Sequence, residues 1–255
     1  MITINGIKIT PTIFPDETSQ VWKLPKEIFE APSLKIDWRF EEEREIIDLY
    51  GISQLYMGGF VHLHIPYLPY ARQDKPIDND STFNLAVFAE LINNLYFDLI
   101  TSVDVHNPAA TKTLINDFAN IHVCQFHKEI IERVQPNFII YPDYGAECRY
   151  KIPNISKIVF HKRRNAATGE IIAHFFVNDF NIKPGQKFLI IDDICDGGAT
   201  FIGITKELRK HAPDADISLC VTHGLFSKGR KVLEDEGIKI FTTNSLLKNN
   251  EGFRV

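Results

Sequence analysis

Residues 192–200 read DDICDGGAT, after the apolar run FLII and before FIGITKELRKHA. The two glycines offer a tight turn with exposed backbone N–H groups. A helix beginning near Phe201 would add its own free N–H groups and its positive dipole end. That combination suits a phosphate. Asp192, Asp193 and Asp196 cannot lie against a phosphate without repulsion, so they need another task. Carboxylates accept hydrogen bonds from sugar hydroxyls, or hold Mg2+ through water. The stretch therefore fits a sugar phosphate, with ribose hydroxyls on the aspartates. The phosphate would sit in the loop of Asp196, Gly197, Gly198, Ala199 and Thr200. A helix start capped by Asp or Thr would account for one aspartate. It leaves the other two, and both glycines, without a reason.

Such residues need elements to hold them. GGFVHLHIPYL (58–68) alternates with period two and predicts a strand. STFNLAVFAELINNL (81–95) predicts a helix with Ser81 as N-cap and Phe83, Val87, Leu91 and Leu95 on its apolar face. Further strands are expected at 98–106, 138–143, 157–162, 187–193, 216–224 and 237–245, and a helix at 200–212. Strand–helix alternation argues for an α/β protein with mostly parallel sheets. An Asp-ended strand occurs in both halves, in SVDVH and LIIDD, which fits two similar α/β domains. The boundary is expected near VQPN (134–137), giving domains of 1–135 and 136–255. In open α/β sheets ligands bind outside the carboxyl ends of the strands. Arg72, Gln73, Asp74, Asp104, His106, Asp143, Lys162, Asp192 and Asp193 all follow or end apolar runs.

Composition narrows the partners. The 255 residues are 44% hydrophobic and 24% charged, with net charge −5. That length holds one large or two modest cores. The charge gives no electrostatic reason for nucleic acid or an anionic membrane. No apolar run approaches the ~20 residues of a membrane helix. The start has no basic region followed by an apolar core. Cys124, Cys148, Cys195 and Cys220 form no C-x-x-C pair and have no metal-ligand spacing with histidines. The expectation is a cytoplasmic chain with reduced, structural thiols.

The 192–200 stretch resembles the signature of phosphoribosyl diphosphate (PRPP) binding proteins, an acidic pair followed by a D-T-x-G-T loop. IPYLPYARQDKP (65–76) resembles the P-Y-x-x-Y-A-R-Q-D segment of the PRPP synthetases, or ribose-phosphate diphosphokinases, which phosphoribosyltransferases lack. SVDVHNPAA (102–110) is similar to the family's V-D-L-H segment, and YPDYGAECR (141–149) to P-D-x-G-G-x-x-R with Ala146 at the second glycine. HKRRNAATGE (161–170) resembles the D-K-R-R opening of the catalytic loop. FPDETSQ (14–20) resembles F-x-D-G-E, with Glu17 for the glycine and Thr18 for the glutamate. THGLFSKG (222–229) resembles T-H-x-x-F-S-x-G, to which no role attaches.

The resemblance implies two tandem phosphoribosyltransferase-like, Rossmann-like domains and an ATP-dependent diphosphotransferase. Arg72 would clamp the triphosphate, Gln73 would bond an adenine or ribose edge, and Phe14 and Asp16 would meet adenine. His106 and Asp143 would hold Mg2+, with waters and ATP oxygens completing it. Lys162 and Arg164 would neutralise the transferring diphosphoryl group. A homo-oligomer of two or more copies is implied as well.

One departure bears on the acceptor. Gly197 stands where the family has a hydroxyl donor to the phosphate, and Ala199 where it has a glycine. Losing that donor should cost roughly 1.5–3 kcal/mol and leave room beside the phosphate. This favours ADP-ribose, a diester needing fewer donors and an exit, over ribose 5-phosphate. The alternatives are a non-catalytic PRPP synthetase-associated subunit and a PRPP-using phosphoribosyltransferase. Retention of Lys162, Arg164, His106, Asp143 and the loop aspartates argues against the first, and the PYARQD segment against the second.

Overall fold

The computed structural model describes residues 1–56, 58–164, 171–176, 182–246 and 253–254, with the backbone alone for 162–164 and 171–174. The chain forms two compact units, Met1–His122 and Val123–Val255. The division falls ahead of the helix Cys124–Val134 rather than after it. That helix buries Phe126, His127 and Ile130 and packs on the second unit's sheet. Its apolar face, not the chain break after it, decides where it belongs.

The first unit runs β1 (Ile2–Ile4), β2 (Ile7–Ile9), β3 (Thr12–Ile13), β4 (Ser19–Gln20), α1 (Lys26–Glu30), β5 (Ser33–Trp38), α2 (Glu45–Leu55), β6 (Phe60–Ile65), α3 (Asn84–Asn93), β7 (Leu99–Val103), α4 (Pro108–Leu114) and β8 (Phe118–Ile121). Six strands form one sheet in the order β2-β1-β5-β6-β7-β8. The pairs from β5 to β8 are parallel, and β1 is antiparallel to both its neighbours. Alternation in β5 buries Leu34, Ile36 and Trp38, while Lys35 is exposed. Leu49 and Ile52 of α2 and Leu85, Phe88, Ala89 and Ile92 of α3 join those residues in one core. Each such side chain contributes about 1.5–3 kcal/mol by leaving water.

In α3 the buried face differs from the expected one. Val87 and Leu91 are 54% and 46% exposed, and the helix enters through Phe83 with no side-chain cap, not through Ser81. The segment is apolar on both stripes. Periodicity could not choose the stripe that meets the sheet.

The second unit runs α5 (Cys124–Val134), β9 (Phe138–Tyr141), α6 (Tyr144–Tyr150), β10 (Ser156–Val159), β11 (His161–Arg164), β12 (Ile171–Phe175), β13 (Lys187–Cys195), α7 (Ala199–His211), β14 (Asp216–Gly224), α8 (Lys231–Glu234) and β15 (Ile238–Thr242). Its five-stranded sheet has the order β10-β9-β13-β14-β15 and is parallel throughout. Both faces of its central strands are buried, as expected for a sheet with helices on each side. β11 and β12 form a separate antiparallel hairpin. Among the described residues no helix is long and apolar enough to cross a membrane.

Candidate functional site

The order β10-β9-β13-β14-β15 places β9 beside β13, with the chain leaving β9 toward β10 and β13 toward β14. Crossovers departing in opposite directions open a crevice at the carboxyl ends of those two strands, where α/β proteins bind ligands. The residues that follow β9 and end β13 are Asp143 and the 192–200 stretch.

The helix after β13 begins without a side-chain cap. Its N-cap position is Gly198, with φ +79° and ψ −6°. That left-handed backbone is the reason for a glycine. A Cβ there would also stand 3.0 Å from Leu233 Cδ2. Gly198, as the N-cap residue, brings no side chain of its own to the first N–H groups of α7, which suits an anion there.

Asp192 and Asp193 do not simply finish the strand. β13 continues to Cys195, paired with Gly224 of β14. Within a strand, adjacent side chains take opposite faces, and the two aspartates differ accordingly. Asp193 is 3% exposed, and its Oδ1 lies 2.8 Å from Arg149 Nη1. Burial pulls the Arg149 guanidinium down, but the Asp193 carboxylate and the Tyr150 hydroxyl together outweigh it and the group stays charged. Asp192 keeps partial exposure. Burial pushes its carboxyl well above the usual range, and the charges of Asp193 and Asp143 push the same way. The two aspartates expected to meet a sugar therefore differ: Asp193 is paired with Arg149, and Asp192 keeps partial exposure.

Two residues of the β14–α8 connection reach the loop. Ser227 Oγ donates to Asp196 Oδ1 at 2.5 Å. A Cβ on Gly197 would meet Lys228 Cδ at 3.3 Å and Cε at 3.4 Å. The room expected beside Gly197 is thus occupied by the Lys228 stem.

Asp143 caps α6, accepting from the Ala146 N–H at 3.1 Å. Capping uses one lone pair of one oxygen, and a carboxylate has more. In the first unit the polar residues gather after β6 and β7. Arg72 and Gln73 are exposed, in a turn where Gln73 N–H donates to Tyr70 O at 2.8 Å. Tyr70 holds φ +62°, secured by its hydroxyl donating to Glu43 at 2.7 Å and its ring 5.5 Å from Phe88. Asp74 Oδ2 accepts from Asn107 Nδ2 at 2.7 Å, and Asn107 Oδ1 caps α4. This ties the 65–76 segment to His106 and its neighbour. Phe14 and Asp16 lie in the exposed β3–β4 turn. The Thr18 hydroxyl and N–H donate to Asp16 and lower its carboxyl.

Lys162 and Arg164 lie on β11, Lys162 opposite His174 of β12. Their side chains, and residues 165–170, lie outside the described residues. Among the described residues no three His, Cys, Asp or Glu side chains gather as a metal cluster. Mg2+ needs few protein ligands when phosphate oxygens and water complete its shell, which suits a donor such as Asp143.

A phosphoribosyl transferase domain model matches residues 151–254. The ribose-phosphate pyrophosphokinase of Mycoplasmopsis pulmonis is 28% identical over 199 residues, covering 73% of this chain and 59% of that protein. The one from Pyrococcus furiosus is 30% identical over 174 residues, covering 65% and 59%. The one from Sulfurisphaera tokodaii is 23% identical over 257 residues, covering 96% and 87%. Against the first two, the chain spans about three fifths of the relative's length. The crystal structure of phosphoribosylpyrophosphate synthetase from Mycobacterium smegmatis shares the fold, with TM-score 0.75 at 19% identity over 94% of this chain and 81% of that one. The chain is thus similar to ribose-phosphate pyrophosphokinases over most of its length and shares the fold of a phosphoribosylpyrophosphate synthetase.

As a ribose-phosphate pyrophosphokinase relative, the chain keeps turn geometry where it changes residues. Glu17, in place of the motif's glycine, still holds φ +67°. Four residues of the site were not legible in the sequence: Asn107, Arg149, Ser227 and Lys228. Asn107 had a local signal, an N-cap residue followed by Pro at the first helical position. Arg149 closed a quoted motif, but its partner lies 44 positions away. Ser227 and Lys228 had no signal, since only the tertiary fold brings them to the loop.

Proposed function

We propose that the chain is a Mg2+- and ATP-dependent diphosphotransferase acting on a ribose 5-phosphate unit. The anomeric hydroxyl oxygen bonds to the β-phosphorus of ATP, the bond from that phosphorus to the α,β-bridging oxygen breaks, and AMP leaves with that oxygen. The observation that carries this reading is the uncapped α7 start at the β9–β13 switch point. There the acceptor's phosphate would take the loop N–H groups, and a ribose hydroxyl would take Asp192. Arg149 would hold Asp193, and through it the end of β13, in place. Arg72 and Gln73 would bind ATP, with Phe14 and Asp16 at adenine. Lys162 and Arg164 would neutralise the moving diphosphoryl group. By the same resemblance His106 and Asp143 would each be a ligand for Mg2+, which would neutralise ATP's phosphate charge.

The relatives' names support ribose 5-phosphate as acceptor. The case for ADP-ribose rested on empty room and a missing donor at Gly197. The Lys228 stem fills that side, so ribose 5-phosphate is the acceptor the observations favour. AMP release from ATP with each acceptor tests this. Turnover with ADP-ribose and none with ribose 5-phosphate would overturn the choice. No AMP from either, with Lys162→Ala indistinguishable from the parent, would favour a non-catalytic subunit. Assembly into two or more copies is also proposed, because Ile47 and Leu55 of α2 and Val87 and Leu91 of α3 are exposed. Light scattering showing a monomer would remove it.

A further inference from the structure

Position 197 and residue 228 occupy one place. A Cβ built on Gly197 would lie 3.3, 3.4 and 3.5 Å from Lys228 Cδ, Cε and Cγ. Three consecutive carbons of the lysine stem therefore run alongside the glycine, where a side chain of residue 197 would stand. The lysine is held there by its connection. Leu225 and Phe226 N–H groups donate to Cys195 O at 2.9 and 3.2 Å, and Gly229 N–H donates to Phe226 O at 2.7 Å. Ser227, the preceding residue, bonds Asp196, and Leu233 packs beneath Gly198. The 225–233 segment is thus hydrogen-bonded to the end of β13 and the loop before Lys228 and packed against the loop after it.

Lys228 is exposed, and among the described residues its ammonium has no hydrogen bond or ion pair. A lysine buries its methylenes against a surface and carries its charge to the end of the stem. Here the stem ends one C–N bond, about 1.5 Å, beyond a carbon that lies 3.4 Å from the position-197 Cβ site. A cation is therefore delivered beside the uncapped loop. A threonine at 197 would press its branched side chain into that stem. The hydroxyl donor of the family signature and the Lys228 stem therefore compete for one place, and the stem would have to shift to admit it.

We propose that Lys228 binds the acceptor's 5'-phosphate, supplying from the next loop the contact that position 197 has given up. This rests on the reading of residues 196–200 as the acceptor phosphate loop. It makes Lys228 a specificity residue for phosphorylated over unphosphorylated ribose. It also explains why a glycine with ordinary φ stands at 197.

The test compares the parent, Lys228→Met, Lys228→Ala, Lys228→Arg and the double variant Lys228→Ala with Gly197→Thr, in which no stem meets the threonine. Ribose 5-phosphate and ribose are titrated calorimetrically, and AMP release is followed in parallel. Lys228→Met should weaken ribose 5-phosphate binding, and raise its KM, by about ten- to a hundredfold, the size of a lost charge-assisted hydrogen bond. Ribose binding and the KM for ATP should not move. Lys228→Arg should keep most of the affinity, and the double variant should regain part of what Lys228→Ala loses. Unchanged ribose 5-phosphate affinity in Lys228→Met would overturn the proposal, as would an equal loss for ribose or a parent that does not bind ribose 5-phosphate. Lysine-dependent binding without AMP release would leave this proposal standing and remove the diphosphotransferase reading.

Discussion

The two units handle buried polarity differently. The second winds its parallel sheet outward from β9 and β13 in opposite directions, and at that switch point it buries a charge pair, Arg149 with Asp193. The parallel part of the first unit runs β5 to β8 in one direction. That unit buries the carboxyls of Asp48 and Asp104 and, on β6, the imidazole of His64. His64 Nδ1 lies 2.9 Å and His62 Nε2 lies 2.7 Å from Thr101 Oγ1. Burial lowers His64 to about 4. The contrast is between one buried charge pair at a switch point and one buried neutral imidazole on a strand face.

The sharpest way to break that contrast is to remove half of the charge pair. Arg149→Met leaves the Asp193 carboxylate buried and alone, which should cost about 3–5 kcal/mol. Adding Asp193→Asn should recover much of it. Urea unfolding of both variants measures this, and a single-variant loss under 1 kcal/mol would mean the pair is not a buried one.

Next is the loop itself. Gly198→Ala forces a Cβ into a left-handed backbone and against Leu233. The expected destabilisation is about 2–4 kcal/mol from strain and overpacking together. A melting temperature unchanged from the parent would show that the loop has another conformation.

In the first unit, stability should depend on pH through His64. Its folded pKa lies below the unfolded 6.5, so its contribution is complete above pH 6.5 and is lost as pH falls toward 4. The loss should reach roughly 3 kcal/mol. His64→Gln should flatten that stretch of the stability curve. A curve as steep as the parent's would assign the acid loss to other groups.

The smallest effect separates two helix starts within the second unit. Asp143→Ala removes the cap of α6 and should cost about 1 kcal/mol. Asp196→Ala, at a helix that no side chain caps, should cost less in stability while weakening ribose 5-phosphate binding. Equal stability losses would mean that the α7 start is an ordinary capped end.

Much of the second unit was legible in the sequence. The strand 216–224 lies at the predicted residues, and the helix at 200–212 begins and ends within one residue of its prediction. Long apolar β-branched runs and a glycine turn are local signals, and local signals survive into the fold. The α3 face was not legible, because a helix apolar on two stripes is oriented by what covers it. The division of labour between Asp192 and Asp193 was not legible either. It depends on β13 running on to Cys195, and on an arginine from α6.

By itself, the sequence determined the α/β alternation, the loop with its glycines, and the set of acidic and basic residues at strand ends. These follow from backbone freedom, side-chain period and charge, all written in neighbouring residues. Only the tertiary structure decided which unit claims α5, which aspartate is committed to Arg149, and what fills the space beside Gly197. Each of those depends on groups far apart in the chain meeting within a few ångströms, and packing alone specifies such meetings.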